Sequence, residues 1–147
     1  EIEHKNARAL VKDELQSKPF FEKVEPSTLG IDYTHQENKF DDFQKQILLP
    51  HSQSKNGPFM DVADINNDGL QDFFIGGASG QTGELFFQTK EGKFQKQNEQ
   101  VFIKDKKYED LGILFFDVEM DGDQDVYVVS GGAEFPENSN MYQDRLY

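Results

Sequence analysis

Two acidic stretches of nine residues, 53 positions apart, are the part of this sequence best suited to chemistry. Residues 64–72 are DINNDGLQD and residues 117–125 are DVEMDGDQD, so both fit D-x-(N or E)-x-D-G-x-x-D. In such a loop the side-chain oxygens at positions 1, 3 and 5 face inward, Gly at position 6 allows a sharp turn, and position 7 offers its backbone carbonyl. This spacing suits a hard cation of the size of Ca²⁺.

We expect two Ca²⁺ sites, because oxygen ligands that include several carboxylates suit Ca²⁺ better than Zn²⁺, which prefers His and Cys. Mg²⁺ is a weaker candidate because it gives up its water reluctantly. The motif is not an EF-hand, since position 12 is Ile75 or Val128 instead of Glu. The predicted ligands are Asp64, Asn66, Asp68, the carbonyl of Leu70 and Asp72 in the first loop, and Asp117, Glu119, Asp121, the carbonyl of Asp123 and Asp125 in the second.

The alternative for each loop is a turn without metal, because Asp, Asn and Gly favour turns in any case. Two loops with the same spacing and the same flanking pattern favour metal binding. In the second loop, five acidic residues within nine positions would also repel one another unless a cation neutralised them.

Composition limits the classes of function. The chain has 147 residues, a net charge of −13 and no Cys. Nucleic acid is therefore not an expected partner, since phosphate binding needs clustered Lys and Arg, and disulfides and thiolate sites are excluded. No apolar run approaches membrane-spanning length, so we expect no membrane insertion.

The sequence divides into four segments. Residues 1–19 are polar and predict either a short amphipathic helix or a frayed terminus. Residues 20–56 contain scattered apolar clusters that predict lead-in strands or a partial blade. Residues 57–98 and 99–147 then repeat one order of strand, acidic loop, strand and Gly-Gly, and the second copy is incomplete. We therefore expect a mature or excised piece of a longer protein.

The strands around the loops predict an all-β fold. They are apolar on both faces at residues 73–75 and 126–129, whereas a strand covered on one face would alternate. Burial on both faces is expected where small sheets stack, as blades do in a propeller. We predict two to three four-stranded antiparallel blades from a larger propeller, with a β-sandwich as the alternative.

No catalytic constellation is visible. The Gly-rich residues 76–83 lack the G-K-(S or T) ending of a phosphate loop and predict a turn between strands. The three His residues, His4, His35 and His51, form no metal-ligand pair, and the best-placed carboxylates belong to the loops. We therefore expect a protein that is not an enzyme.

Residues 62–77, VADINNDGLQDFFIGG, closely resemble an FG-GAP/VCBS repeat, the blade unit of integrin-α-like β-propellers, and residues 111–132 resemble a second copy. The stretch 46–51, QILLPH, followed by Gly57-Pro58, is similar to the lead-in of bacterial surface proteins related to the ASPIC/UnbV group. The resemblance implies a calcium-stabilised propeller that is exported to the bacterial cell surface or beyond. It implies a role in adhesion, recognition or scaffolding.

We therefore predict a non-catalytic module that recognises a protein or glycan. The alternatives are an accessory domain of a secreted hydrolase and a structural spacer that calcium rigidifies. Two or three blades alone would expose sheet edges, so self-association through those edges is also expected.

Overall fold

The computed structural model describes residues 19–147, and this part of the chain consists mainly of two antiparallel sheets. This confirms the prediction of an all-β fold of propeller-like repeats. The helix or frayed end predicted for residues 1–19 lies outside the described residues, apart from Pro19. The strands are β1 (Met60–Ala63), β2 (Asp72–Ile75), β3 (Glu84–Gln88), β4 (Phe94–Gln97), β5 (Asp110–Phe116), β6 (Asp125–Ser130) and β7 (Arg145–Leu146).

The first sheet is a meander in which each of β1 to β4 pairs with the next strand. In its middle register Val62 lies opposite Phe73, and Phe73 lies opposite Phe86. Three successive residues of β2, Asp72, Phe73 and Phe74, are buried. Consecutive side chains point to opposite faces of a sheet, so both faces are covered here, as the apolar run predicted.

The second sheet contains β5, β6 and β7 in that order. Phe115 lies opposite Val126, and Tyr127 lies opposite Leu146. Burial alternates along β6, where Val126 and Val128 are buried while Val129 is 38% exposed. The expected burial on both faces therefore does not hold for this strand. Within the described chain, the second sheet packs against a neighbouring sheet on one face only.

The main core lies between the two sheets. Short helix α2 (Gln100–Lys104) connects β4 to β5 and places Phe102 there. The Phe102 ring lies 4.8 Å from the Phe74 ring and 5.0 Å from the Tyr147 ring, measured between centroids. The buried members of this core are Phe74, Leu85, Phe102, Val126 and Val128, and Ile65, Phe87, Ile113, Phe115 and Tyr147 pack around them. The sheets thus stack face to face.

The segment at residues 20–56 differs from its prediction. It contains a 3₁₀ turn (Pro26–Leu29) and helix α1 (Asp42–Lys45), and its residues form no strand. The Asp41 side chain accepts a hydrogen bond from the Phe43 backbone N–H (3.0 Å), which caps a helical turn. Ile47 and Leu48, which suggested a strand, are 80% and 92% exposed, so no second strand pairs with them.

This lead-in segment is fixed to the first repeat by side chains. The Tyr33 hydroxyl donates to the Gly76 carbonyl (2.8 Å), and the Gln81 amide donates to the Thr34 carbonyl (2.8 Å). All four strands of the first sheet lie within residues 57–98, and all three of the second lie within residues 99–147.

No helix in residues 19–147 has the length and hydropathy needed to cross a membrane.

Candidate functional site

The two acidic loops occupy the same place in their sheets. The first joins β1 to β2 and the second joins β5 to β6. In each hairpin the last Asp of the motif belongs to the strand pair next to the loop. Ala63 lies opposite Asp72, and Phe116 lies opposite Asp125. The repeat found in the sequence is therefore also a repeat in space.

In the first loop, side-chain oxygens accept hydrogen bonds from the backbone of the turn. Asp64 Oδ1 accepts from the Asp68 N–H (3.0 Å) and Asp64 Oδ2 from the Gly69 N–H (2.8 Å). Asn66 Oδ1 also accepts from the Asp68 N–H (3.0 Å), and Asp68 Oδ1 accepts from the Leu70 N–H (2.9 Å). The side chains at positions 1, 3 and 5 of the motif therefore stabilise the turn by accepting hydrogen bonds from its backbone.

The second loop repeats this pattern. Asp117 accepts from the Asp121 N–H (3.1 Å) and the Gly122 N–H (2.9 Å), and Asp121 Oδ1 accepts from the Asp123 N–H (3.2 Å). Glu119 takes the place of Asn66, with one more methylene in its side chain. The two loops therefore adopt the same conformation, although four of their nine residues differ.

The backbone angles agree as well. Asn67 has φ of 57° and its counterpart Met120 has φ of 59°, while Gly69 and Gly122 have φ of 85° and 97°. Asn and Gly tolerate positive φ, whereas it costs an ordinary L-residue about 1–2 kcal/mol. Met120 is therefore a strained residue that the loop conformation imposes.

The last Asp of each motif anchors the loop to its sheet. Asp72 is fully buried; its Oδ2 accepts from the Ile65 N–H (3.1 Å) and its Oδ1 from the Gln88 N–H of β3 (2.8 Å). Asp125 Oδ2 accepts from the Val118 N–H (2.9 Å) in the same way. The Asp at position 9 of the motif therefore holds the backbone at position 2, where the loop begins.

Negative charge is crowded in the second loop. The charge of Asp125 raises the pKa of Glu119, and Asp121, through a hydrogen bond and its charge, raises the pKa of Asp123. Within residues 19–147, no three His, Asp or Glu side chains are grouped closely enough to be ligands of one ion. The donor set of both loops, which is all oxygen, still fits a hard cation, and the metal assignment of the ten residues stays a prediction.

The Gly-rich residues 76–83 form the turn between β2 and β3, as predicted, and they pack against the second repeat. The Gly77 N–H donates to Asp110 Oδ2 (2.8 Å), and the Gly80 N–H donates to the Lys106 carbonyl (2.8 Å). Asp110 also pairs with the Arg145 guanidinium of β7. A Cβ at Gly76 would lie only 2.7 Å from the Asp110 Cβ, so glycine is needed here for close approach.

A second cluster of acidic residues, which no sequence motif indicated, lies next to this turn around the buried Glu109. Glu109 has no exposed surface; its Oε2 accepts from the Ser79 N–H (2.5 Å), and its Oε1 has no hydrogen-bond partner among the described residues. Glu134 is adjacent, since a Cβ at Gly132 would meet Glu134 Oε2 and, at 3.3 Å, Glu109 Cγ. Burial is the main reason that the pKa of Glu109 rises from 4.5 to about 8, and the charges of Glu134 and Glu37 act in the same direction.

The lead-in segment completes this group. Asn38 Nδ2 donates to Glu134 Oε1 (3.2 Å), and His35 Nε2 lies 2.7 Å from Glu37 Oε1. The Tyr33 hydroxyl lies 3.1 Å from His35 Nδ1. These residues come from three distant parts of the chain, so only the tertiary structure brings them together.

The fold and the paired loops together define a β-propeller-type repeat module. The chain belongs to the FG-GAP-like repeat family, whose family model matches residues 33–128. No curated protein and no solved structure matches it. The match includes part of the lead-in segment, and the narrower resemblance to the ASPIC/UnbV group stays a prediction.

The strain at Met120 can be tested by exchanging the two equivalent residues. Met120→Asn should raise the free energy of unfolding by about 0.5–1 kcal/mol, because Asn tolerates positive φ. Asn67→Met should lower it by a similar amount. Urea denaturation of both variants measures the two effects, and equal signs would contradict the equivalence of the loops.

Burial of Glu109 predicts a pH-dependent stability. Folded Glu109 keeps its proton up to about pH 8, whereas in the unfolded chain it ionises near its ordinary pKa of 4.5. The folded state therefore loses stability as pH rises from about 4.5 to about 8. Glu109→Gln should abolish this loss, which is on the order of a few kcal/mol.

Thermal melts of wild type and Glu109→Gln between pH 4 and pH 9 measure this effect. The variant should match wild type at pH 4 and melt higher at pH 9. Glu91→Gln, at an exposed turn, is the matched control and should follow wild type throughout. A constant difference between Glu109→Gln and wild type at all pH values would contradict the assignment.

Proposed function

We propose that this chain is a calcium-binding, non-catalytic module of an exported bacterial protein that recognises a protein or a glycan. One observation carries the calcium part of the proposal. Two loops of different sequence share their φ angles and their side-chain to backbone hydrogen bonds. Their common residues include Asp at positions 1, 5 and 9 and Gly at position 6, which is what a hard cation requires of a tight loop.

The proposed ligands are the ten residues predicted from the sequence. Asp64, Asn66 and Asp68 share one turn, and Asp72 closes it; Asp117, Glu119, Asp121 and Asp125 do the same in the second loop, with the carbonyls of Leu70 and Asp123 as further oxygens. When bound, Ca²⁺ would neutralise the crowded carboxylates and couple the rigidity of the loops to the stability of the fold.

The side chains near the loops support a binding role over a catalytic one. The carboxylates of both loops are engaged by backbone N–H groups of their own turns. His35 lies away from them and contacts Tyr33 and Glu37. Recognition of protein or glycan, and export, rest on the resemblance to surface proteins of this family.

Calcium binding can be tested with two isosteric variants, Asp68→Asn and Asp121→Asn. Each keeps an Oδ1 acceptor for the backbone N–H but removes one negative charge from its loop. We expect wild type to bind two Ca²⁺ ions with dissociation constants of about 10⁻⁴ to 10⁻³ M. Each single variant should lose at least about tenfold in affinity at one site only, as measured by isothermal titration calorimetry.

Melting with and without calcium gives a second readout. At a calcium concentration 100 times the dissociation constant, wild type should gain about 2.7 kcal/mol per site. Glu91→Gln, which changes an acid outside the loops, should gain as much as wild type. An unchanged melting temperature of wild type on addition of chelator would refute the calcium proposal.

Recognition is tested separately on protein and glycan arrays probed with labelled chain in calcium and in chelator. We expect binding that calcium strengthens and that Asp68→Asn or Asp121→Asn weakens. Blank arrays together with two measured calcium sites would instead support the calcium-rigidified spacer.

A further inference from the structure

Three carboxylates from distant parts of the chain lie close together, and no basic side chain balances them. They belong to Glu37 of the lead-in segment, Glu109 directly before β5 and Glu134 after β6. The charges of Glu37 and Glu134 both raise the pKa of Glu109, so both lie near it. Within residues 19–147, none of the three forms an ion pair with Lys or Arg. The neighbouring Asp110 differs from them, because the Arg145 guanidinium pairs with it.

Two oxygen atoms of these carboxylates are buried and have no hydrogen-bond partner among the described residues. They are Glu109 Oε1 and Glu37 Oε2. Glu109 has no exposed surface at all, so its unpartnered oxygen lies inside the protein between the lead-in segment and the second repeat. In native proteins such an atom usually binds an ordered water or an ion.

A proton on Glu109 does not remove this requirement. Glu109 Oε2 accepts the Ser79 N–H (2.5 Å), so the proton of the neutral form belongs on Oε1. That O–H group would then need an acceptor, and Oε1 has no partner within hydrogen-bond distance. The two oxygens of Glu134 accept hydrogen bonds from Asn38 Nδ2 and the Ala133 N–H. Both protonation states of Glu109 therefore leave a buried polar group unsatisfied by the described residues, which is costly.

The donor set selects a hard cation. A water molecule would satisfy the unpartnered oxygens but would leave the negative charges unbalanced, whereas a cation does both. Zn²⁺ is disfavoured because it prefers Cys and His. The chain has no Cys, and the two ring nitrogens of His35 already face Tyr33 and Glu37.

The spacing of the carboxylates distinguishes between hard cations. Within residues 19–147, no three His, Asp or Glu side chains are close enough to bind one ion directly. At most two carboxylates can therefore be direct ligands, and water must supply the others. Mg²⁺ binds in this way, through one or two carboxylates with several waters retained, whereas Ca²⁺ takes about six to eight oxygen ligands.

Glu134 is the better second ligand of the two remaining carboxylates. A Cβ at Gly132 would meet both Glu134 Oε2 and Glu109 Cγ, so these two side chains border the same point. The charge of Glu134 also raises the pKa of Glu109 more than the charge of Glu37 does. Glu37 Oε2 is then placed to accept a hydrogen bond from a water on the ion.

We propose that a partly hydrated Mg²⁺ ion binds to Glu109 and Glu134, with Glu37 Oε2 as an acceptor for its water. This site is separate from the acidic loops, because it lies beside the turn that follows β2, whereas the first loop precedes β2. It does not depend on calcium binding in the loops. The ion would hold the lead-in segment, which carries Glu37, against the second repeat, which carries the other two carboxylates.

Titration with MgCl₂ tests the proposal in a chain that carries Asp68→Asn and Asp121→Asn, which weaken the loops and leave the three carboxylates intact. Isothermal titration calorimetry should give one Mg²⁺ site per chain. Glu109→Gln and Glu134→Gln, each added to this background, should weaken binding at least about tenfold. The titration is run above about pH 8, where folded Glu109 is ionised, because Mg²⁺ binds the ionised carboxylate. Glu91→Gln, at an exposed turn, is the matched control and should bind like the background.

Thermal melts of the same proteins give a second readout that a purely structural role of the carboxylates would not change. At constant ionic strength, Mg²⁺ should raise the melting temperature of the background and of Glu91→Gln. It should raise the melting temperatures of Glu109→Gln and Glu134→Gln much less. The melts without Mg²⁺ show that each variant is folded.

The other outcomes overturn the proposal. A background protein that shows neither heat of binding nor a shift in melting temperature with MgCl₂ removes the site, and binding that survives in both Glu109→Gln and Glu134→Gln places the ion elsewhere. An equal loss in Glu91→Gln would reveal only the general attraction of a chain with net charge −13 for cations. Binding of CaCl₂ but not MgCl₂, lost in Glu109→Gln, would refute the assignment to Mg²⁺.

Discussion

Face-to-face packing of two small sheets is the constraint on which the rest of this structure depends. Each of these small sheets has an apolar face that must be covered by another element for the fold to be stable. Phe74 of the first sheet and Val128 of the second are almost completely buried where the sheets meet, and each buried side chain of this size contributes about 1.5–3 kcal/mol. The polar contact between Asp110, Gly77 and Arg145 fixes how the two sheets are placed at one end of this interface. Because packing uses one face of each sheet, it also determines which apolar surface remains outside.

The conformation of the acidic loops depends on this packing as well as on the sequence of the loops. Each loop closes a hairpin whose strands are already held by the core, so its ends are fixed in separation and direction. Asp72 connects the first loop to the neighbouring strand β3 through the Gln88 N–H. The loop conformation is therefore supported from the sheet, and Met120 is held at a positive φ that its side chain disfavours. A cation in such a loop would stabilise a conformation that the hairpin already provides.

The lead-in segment gives the module a second kind of polar site. It forms no strand, yet Tyr33 and Thr34 bind the turn that follows β2, and Asn38 reaches Glu134 of the second repeat. This segment therefore bridges the two repeats on the side where Glu109 is buried. A fully buried carboxyl with one unpartnered oxygen is costly, and the fold reduces that cost by keeping Glu109 protonated over a wide pH range.

The sequence by itself determined the two repeats, their all-β character and the loop positions, because an acidic motif with Gly at position 6 constrains the chain locally. It also determined the turn at residues 76–83.

The local sequence pattern gave a wrong prediction where contacts with distant residues decide the structure. Residues 47–49 are apolar but have no strand to pair with, so they do not become a strand. Residues 126–129 are apolar throughout, but only one face of β6 packs against another sheet. Glu37, Glu109 and Glu134 are ordinary acidic residues in sequence, and only the folding of the lead-in segment over both repeats brings the partly buried Glu37 and Glu134 close to the fully buried Glu109. These outcomes depend on contacts between residues far apart in the chain, which neither composition nor spacing records.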